Sequence, residues 1–135
     1  MAFHHETLDI TTKTKVSTTD ITARVRAAVT RAKITDGICV VAVLHTTAGV
    51  FVNENADPHV QRDLISQLGK LVPRDDEFRH GEENSDAHIK AVLTGNHVTL
   101  SVREGALVLG TWQGIFFADY DGPRERHATV TVIGD

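Results

Sequence analysis

The segment ICVVAVLHTTAG, residues 38–49, decides which fold we expect of this chain. Its first half is continuously apolar and rich in β-branched residues, a pattern typical of a central strand that is buried on both faces. His45 follows this run directly, at the position where a strand delivers a side chain to a site. The segment therefore predicts a central strand with a candidate functional residue at its end.

Alternating apolar and polar residues predict further strands on both sides of this segment. Residues 5–13 alternate as expected of a half-buried strand, and residues 98–132 contain several short runs that are typical of a β meander. The turn DGP at residues 121–123 has a physical basis, because Gly accepts a positive φ and Pro fixes φ. Mostly antiparallel pairing follows from these short connections.

Three stretches with helical spacing lie between these strands. The first covers residues 21–32, the second begins at an Asp57-Pro58 pair, and the third starts near residue 84 or 85 and ends at Gly95. We therefore expect an α+β fold built as one domain over residues 1–135. It should be a mostly antiparallel sheet or sandwich with about three helices covering one side.

Composition and charge exclude several classes of function. The chain has 135 residues, of which 41% are hydrophobic and 24% charged, as in an ordinary globular protein. A net charge of -4 without a basic block argues against a nucleic-acid partner. No apolar run is long enough for a membrane span, and the start lacks the pattern of a signal peptide, so we expect a cytoplasmic protein. The single cysteine, Cys39, reads as a small buried apolar residue.

The segment HGEENSDAH, residues 80–88, has the side chains of a metal site or an acid–base site. It contains two imidazoles, His80 and His88, and it is rich in carboxylates: Glu82, Glu83 and Asp86 within it and Glu77 just before it. Asn84 is a candidate ligand contact, and it or Asp86 could hold a ring in one tautomer. The histidine spacing matches no standard zinc motif, so a solvated loop that leads into a helix stays open as the alternative.

Two interpretations of His45 stay open from the sequence. A histidine that closes an apolar strand is often a structural residue held by hydrogen bonds. The alternative is a role in a ligand site. The hydroxyls of Thr46 and Thr47 follow directly, and together with the backbone at residues 48–49 they could receive phosphate oxygens.

Three other segments contain candidate ligand contacts. Asn53 and Glu54 follow a short apolar patch, and Glu54 is a candidate base held at a cleft. Trp112 and Gln113 lie in GTWQG, whose glycines permit close approach of a ligand or a neighbouring subunit. Arg124 lies in DGPRER, and at a cleft rim it would bind phosphate or carboxylate bidentately. Ordinary alternatives are a capping loop, a half-buried strand aromatic and a solvated surface, respectively.

Four segments in this order resemble the YjbQ-like family, also called the secondary thiamine-phosphate synthase family. They are HTTAGVFVNENADP, HGEENSDAH with the helix that follows, LGTWQGI and DGPR, and the match runs from about residue 38 to residue 132. One departure is Asp119, which stands where the family usually has a Glu before the DGPR turn. The reach of that carboxylate is shortened here by one methylene.

The resemblance implies a small α+β fold that assembles as a homotrimer, with a metal ion, zinc in the first instance, near His45, His80 and His88. Some family members are credited with a weak ability to join the thiamine pyrimidine and thiazole phosphates. On this basis we expect a metal-dependent small-molecule enzyme. Glu54 or Asp86 would be its catalytic proton-handling group.

In this scheme Thr46, Thr47 and Arg124 would hold the phosphate of the substrate. Loss of pyrophosphate usually calls for Mg²⁺ bound by carboxylates, so Mg²⁺ is the second candidate metal. A three-histidine zinc site is better suited to activating water, which makes a zinc-dependent hydrolase of a small metabolite one alternative. The other alternative is a non-catalytic trimeric protein that binds a metal or a small ligand.

Overall fold

Two antiparallel sheets and three helices make up the computed structural model, which describes residues 1–74, 78–81 and 83–135. In chain order the elements are β1 (Ala2–Thr11), β2 (Ser17–Asp20), α1 (Thr22–Ala32), β3 (Gly37–Val43), β4 (Ala48–Glu54), α2 (Pro58–Leu71), α3 (Ser85–Thr94), β5 (His97–Arg103), β6 (Ala106–Leu107), β7 (Gln113–Asp119) and β8 (Glu125–Gly134). The expected α+β fold, with mostly antiparallel strands and about three helices, is confirmed.

The larger sheet has the strand order β1-β8-β3-β5-β6, with β3 at its centre. Val41 of β3 lies opposite Val98 of β5 and Val130 of β8. The central position predicted for this strand is therefore confirmed. Burial on both faces is not, since Ile38 and Leu44 on the outer face are 44% and 58% exposed. Apolar residues at both ends of this run therefore stay outside the core of the single chain.

The smaller sheet has the order β2-β7-β4 and interrupts the predicted meander. The chain leaves the larger sheet after β6, forms β7 in the smaller sheet, and returns to the larger one as β8. Ile115 and Phe117 of β7 belong to the main core, whereas Phe116 on the alternate face stacks on Phe51 with ring centroids 5.9 Å apart. A strand with apolar residues on both faces needs a layer on each side, which a simple meander does not provide.

The helices lie on two sides of the smaller sheet and not on one side as expected. The apolar stripe of α1, including Val25 and Val29, packs into the main core between the sheets. On the opposite face, α2 and α3 cover a second cluster around Tyr120. The predicted cap of α2 is confirmed, because Asp57 accepts a hydrogen bond from the backbone N–H of His59 at 2.9 Å. None of the helices in the described residues has the length and apolar character of a membrane span.

Candidate functional site

The close approach of α3 to β4 brings two of the candidate segments together. A Cβ atom added at Gly49 of β4 would lie 2.5 Å from Thr94 Oγ1 and 2.8 Å from the carbonyl oxygen of Gly95. Only a glycine permits this packing distance, because real Cβ atoms do not approach other atoms so closely. The last turn of α3 therefore packs directly on β4. His88, nearer the start of α3, lines two cavities together with His45 of the β3–β4 connection.

Two cavities meet at this connection and share His45, Thr46 and His88. One cavity, of about 440 Å³, is mostly apolar; its other lining residues are Ala48, Ala91, Val92, Gly95 and Asn96. The second, of about 340 Å³, is polar; its other lining residues are Leu44, Thr47, Asn84, Asp121, Arg124 and Arg126. The site thus combines one half suited to an apolar group with one half suited to a charged group.

A buried ion pair forms the floor of the polar half. Arg126 donates from Nε and Nη2 to the carboxylate of Asp119 at 3.0 and 2.6 Å, and also to Thr47 Oγ1 at 2.9 Å. Thr12 donates its hydroxyl to the same carboxylate at 2.6 Å. Burial raises the pKa of Asp119, but the hydrogen bonds from Arg126 and Thr12 outweigh burial and bring the pKa below its ordinary value. Asp119 is therefore ionised and fixed.

A second carboxylate, Asp121, gathers the remaining polar groups of this half. It forms an ion pair with Lys15 and accepts hydrogen bonds from Asn84 Nδ2 at 2.8 Å and Arg124 Nη2 at 3.0 Å. Burial raises the pKa of Asp121, but hydrogen bonds from Lys15 and Asn84 and the nearby charges lower it to about 2. Arg124 is thereby held at the rim of the polar half, with more than half of its side chain exposed.

Gly122 is required by crowding and not, as expected from the DGP turn, by a positive φ. It is not among the glycines with positive φ, and its peptide bond to Pro123 is cis. A Cβ atom here would lie 2.3 Å from the carbonyl oxygen of Thr14 and 2.9 Å from Asp119 Oδ2. Glycine therefore lets the turn pass close to the buried carboxylate.

Positive charge slightly exceeds negative charge around His45. Three cationic groups, from Lys15, Arg124 and Arg126, contact two carboxylates and leave one net positive charge. The pKa of His45 is lowered, first by burial and then by the charges of Arg126, His127 and Arg124, which oppose that of Asp119. His45 is therefore neutral near pH 7, and the polar half favours an anion.

The backbone of β8 holds the ring of His45 in place. His45 Nε2 accepts a hydrogen bond from the backbone N–H of His127 at 2.8 Å, and the two rings stack with centroids 5.9 Å apart. His45 is therefore held by hydrogen bonding to the sheet, and it also lines both cavities. Its role in a ligand site stays a prediction.

His80 and His88 come together, but His45 does not join them as a third ready metal ligand. The rings of His80 and His88 have centroids 5.2 Å apart and are nearly perpendicular. Two imidazoles bound to one tetrahedral zinc, with Zn–N bonds of about 2.1 Å, would have centroids roughly 5 Å apart, so this pair fits. Over residues 1–74, 78–81 and 83–135, no three His, Cys, Asp or Glu side chains are placed to hold a metal. Glu77 and Glu82 lie outside the described residues.

Asp86 is buried and is not a lining residue of the two cavities. It is 4% exposed and forms an i,i+4 ion pair with Lys90, whose Nζ lies 3.1 Å from Asp86 Oδ2. Neither Asp86 nor Lys90 lines either half of the site. The other oxygen, Oδ1, is buried without a hydrogen-bond partner among the described residues. In this chain Asp86 therefore contributes to the packing of α3 and does not border the cavity.

Glu54 lies at the opposite end of β4 from His45. It is six positions along the strand from Ala48, which is about 20 Å in an extended strand. Glu54 lines a separate cavity of about 260 Å³, and the Asn53 side chain accepts a hydrogen bond from its N–H at 2.8 Å. At the same end, the exposed Trp112 accepts a backbone hydrogen bond from Asn55. Within a single chain the predicted site residues therefore fall into two separate groups, one around His45 and one around Glu54.

The last predicted residue, Gln113, belongs with this second group. Its Oε1 accepts a hydrogen bond from the backbone N–H of Gly110 at 2.8 Å, which closes the GTWQG turn. Gln113 also pairs with Glu54 in the β4–β7 register. The geometry gives Gln113 a role in the turn, and it places Gln113 far from the His45 cavities.

Comparison with known sequences assigns the chain to a family. A family model described as "UPF0047 protein YjbQ-like" matches residues 6–135. The chain belongs to the YjbQ-like family. It is 49% identical to a UPF0047 protein of Methanocaldococcus jannaschii over 93% of this chain and 91% of that protein. It is 40% identical to the UPF0047 protein YugU of Bacillus subtilis, over 96% and 98% of the two chains.

Solved structures show the same fold. A YbjQ-like protein of unknown function from Sulfolobus solfataricus P2 matches with a TM-score of 0.96 and 33% identity, covering 98% of both chains. An uncharacterised conserved protein of the YjbQ/UPF0047 family from Clostridium acetobutylicum matches with a TM-score of 0.93 and 44% identity, covering 95% of this chain and 99% of that one. The YjbQ-like fold is therefore shared over nearly the whole chain.

Sequence reasoning treated Arg126, like Arg124, as an exposed or cleft-rim arginine of DGPRER, and it missed the buried ion pair of Arg126 and the role of Asp121 in this YjbQ-like site. The signal for Arg126 was present, because the inward positions 128, 130 and 132 of β8 extend by the two-residue period of a strand to position 126. An arginine on a buried face needs a carboxylate partner. Asp119 lies on the same face of β7 as Ile115 and Phe117. The two-residue period of a strand therefore also predicts that Asp119, the partner of Arg126, faces inward.

Proposed function

We propose that this YjbQ-like protein is a small-molecule enzyme that acts on a phosphorylated metabolite. The observation that supports this is the pair of cavities that meet at His45, Thr46 and His88. The polar half would receive the phosphate, and the apolar half would receive the organic part of the substrate. A ligand that spans both halves would have its reactive bond beside the shared residues.

The charges of the polar half favour a phosphate over a cation. Arg124 is the most exposed member of the ion-pair network and donates Nε and Nη2 to Asp121, which leaves its Nη1 donors for a ligand. Thr46 is exposed in the same cavity and adds a hydroxyl. Thr47 is buried and accepts from Arg126, so it supports the floor of the cavity.

Zinc is the proposed cofactor, held by His80 and His88. Their perpendicular rings are spaced as two ligands of one ion would be, and neutral imidazole is a preferred zinc ligand. The ion would supply a Lewis acid that polarises a bound oxygen. Mg²⁺ is less suited to this pair, because it prefers oxygen ligands.

The reaction proposed by family resemblance is the joining of a thiamine pyrimidine and a thiazole phosphate. A cavity with one apolar and one anion-binding half suits substrates that combine a heteroaromatic ring with a phosphate. Hydrolysis of a phosphorylated metabolite would use the same apolar and polar halves of the site. Analysis of the reaction products would distinguish hydrolysis from the joining reaction. A protein that binds such a ligand without turnover is the non-catalytic alternative.

A homotrimer would bring the second group of predicted residues to the first. A cyclic assembly joins two different surfaces of the chain, so the end of β4 with Glu54 and Trp112 can pack against the cavities of a neighbour. Trp112 and Val92, one from each surface, are 63% and 82% exposed in a single chain. In this arrangement Glu54 would act as the proton-handling group of the adjacent subunit.

Calorimetric titration of the metal-free protein with pyrophosphate and with the thiazole phosphate tests the ligand class. We expect both anions to bind, and Arg124→Ala to weaken binding about ten-fold, as for loss of a hydrogen bond to a charged group. Arg103→Ala is the matched control, because Arg103 pairs with Asp36 on the exposed surface. Equal affinities of the Arg124→Ala variant and the unmodified protein would reject the phosphate assignment.

A further inference from the structure

We infer that His45 binds the anionic ligand as a hydrogen-bond donor and is not a ligand of the metal. The inference deepens the proposed function and rests on it only for the identity of the anion. It departs from the three-histidine metal site that the family resemblance implies. The reason is the hydrogen bond that Nε2 of the His45 ring already accepts.

The backbone N–H of His127 fixes the tautomer of His45. A neutral imidazole has one nitrogen with a proton and one with a lone pair. A backbone amide can only donate, so Nε2 of His45, which lies 2.8 Å from it, must be the nitrogen with the lone pair. The proton is therefore on Nδ1, which leaves the neutral ring without a lone pair for a metal ion.

This hydrogen bond is part of the sheet. The β3–β8 ladder runs to the pair Val43 and Ala128, and the backbone N–H of Leu44 donates to the carbonyl oxygen of His127 at 3.3 Å. The ring of His45 then accepts from the N–H of His127 and so extends the ladder by one bond. Turning the ring toward a metal would leave that N–H unpaired, which is costly for a backbone group.

The surroundings of the ring favour an anion. His45 lies beside the ion-pair network of Arg124 and Arg126. Burial, and then the charges of this network, lower the pKa of the ring and keep it neutral. No hydrogen bond to Nδ1 is found among the residues that the structure describes, although the ring lines both cavities. A neutral donor next to a net positive charge suits a phosphate oxygen better than it suits Zn²⁺.

The tautomer is measured directly by long-range ¹H–¹⁵N NMR of protein labelled with ¹⁵N-histidine, with the His45 signals assigned from His45→Gln. We expect a neutral ring protonated at Nδ1 in the metal-free protein. Inorganic phosphate should shift Nδ1 of His45, and zinc alone should move the signals of His80 and His88 only. Protonation at Nε2, or a zinc-induced shift of His45, would overturn the inference.

Two matched variants separate the nitrogens of His45. The amide of Asn takes the place of Nδ1–H, whereas the carbonyl of Gln takes the place of Nε2. We expect His45→Asn to keep phosphate affinity within about three-fold and His45→Gln to lose about ten-fold, the effect of one hydrogen bond to an anion. Both should retain the zinc content of the unmodified protein.

The outcomes distinguish this inference from the proposed function. If phosphate binds by calorimetry but neither shifts Nδ1 nor distinguishes Asn from Gln, His45 is not the donor and the phosphate site stands without it. If phosphate does not bind, the proposed function fails together with the donor role. Loss of zinc from both variants, with the circular dichroism of the unmodified protein, would restore His45 as a metal ligand.

Discussion

Arg126 and Asp119 form a two-point ion pair between the two sheets, and their side chains are only 4% and 0% exposed. Arg126 comes from β8 of the larger sheet, and Asp119 comes from the end of β7 in the smaller sheet. The pair therefore fixes the spacing of the sheets where the polar half of the site opens.

Removal of one partner of this pair should strongly destabilise the protein. Asp119→Ala leaves a buried guanidinium without its carboxylate, so we expect the free energy of unfolding to fall by about 3–5 kcal/mol. Urea denaturation followed by circular dichroism measures the change. The control is Asp36→Ala, which removes the exposed partner of Arg103 and should cost less than about 1 kcal/mol. Similar losses for the two variants would contradict the role given to burial.

Asp121 should contribute a distinct acid-sensitive part of the stability. Its pKa in the folded protein is lowered to about 2, from an ordinary value of 3.8, so ionised Asp121 stabilises the fold above pH 4. This contribution is lost as the pH falls from about 4 through 2. Unfolding free energies measured between pH 2 and 5 should decline less steeply in Asp121→Asn than in the unmodified protein. Asp63→Asn, on the exposed side of α2, should leave the slope unchanged.

Zinc content should depend on two histidines of the HGEENSDAH segment. We expect His80→Ala and His88→Ala each to remove most of the zinc bound at neutral pH, because a two-histidine site has no spare protein ligand among the described residues. Elemental analysis of protein purified without a histidine tag gives the ratio of metal to chain. Retention of stoichiometric zinc in both variants would show that the ion is held elsewhere.

Gly49 should set the distance between α3 and β4. Gly49→Ala places a Cβ atom against Thr94 and the carbonyl oxygen of Gly95, so we expect a loss of about 1–3 kcal/mol in unfolding free energy from overpacking. Gly69→Ala in α2 is the matched control, since its Cβ would meet no atom within 4 Å. That substitution should stabilise the helix by about 0.5–1 kcal/mol. Opposite signs for the two changes in thermal denaturation would confirm the close packing.

Trp112 should report on assembly, because it is the single tryptophan of the chain. It is 63% exposed in one chain and lies on a surface that we propose for the homotrimer. Its fluorescence should therefore shift to longer wavelength and become easier to quench as the protein is diluted below its association range. Native mass spectrometry gives the number of subunits. A monomer mass with an emission spectrum that is independent of concentration would exclude the trimer.

The sequence predicted those elements whose residues form a clear apolar pattern, either a continuous apolar run or an apolar stripe. The central β3 and the capped α2 belong to this group. The sequence did not predict β4, because its apolar core at residues 50–52 is short and is flanked by the polar segments HTTAG and NENAD. The short polar strand β2 was missed for the same reason, since pairing with β7 and not its own pattern makes it a strand.

The candidate site was predicted in part, because proximity along the chain is a poor guide across an extended strand. His45 and Glu54 are nine residues apart in sequence, yet β4 carries them to opposite ends of the smaller sheet. Conversely, His45 and Arg126 are distant in sequence and meet because β8 lies next to β3. The helical segment was predicted better, since local spacing already places His88 in the first turn of α3.

The backbone amide of His127 donates a single hydrogen bond that has two roles. It holds the His45 ring in the wall of the site, and it continues the pairing between β3 and β8. Its exchange with solvent deuterium requires the His45 ring to move away, so one backbone position records each opening of the cavity wall. A ligand that clamps the ring from the other side must slow that exchange, whatever the chemistry of the ligand. The exchange rate of the His127 amide therefore reports whether the cavity holds a ligand, and it can be measured before any substrate is identified.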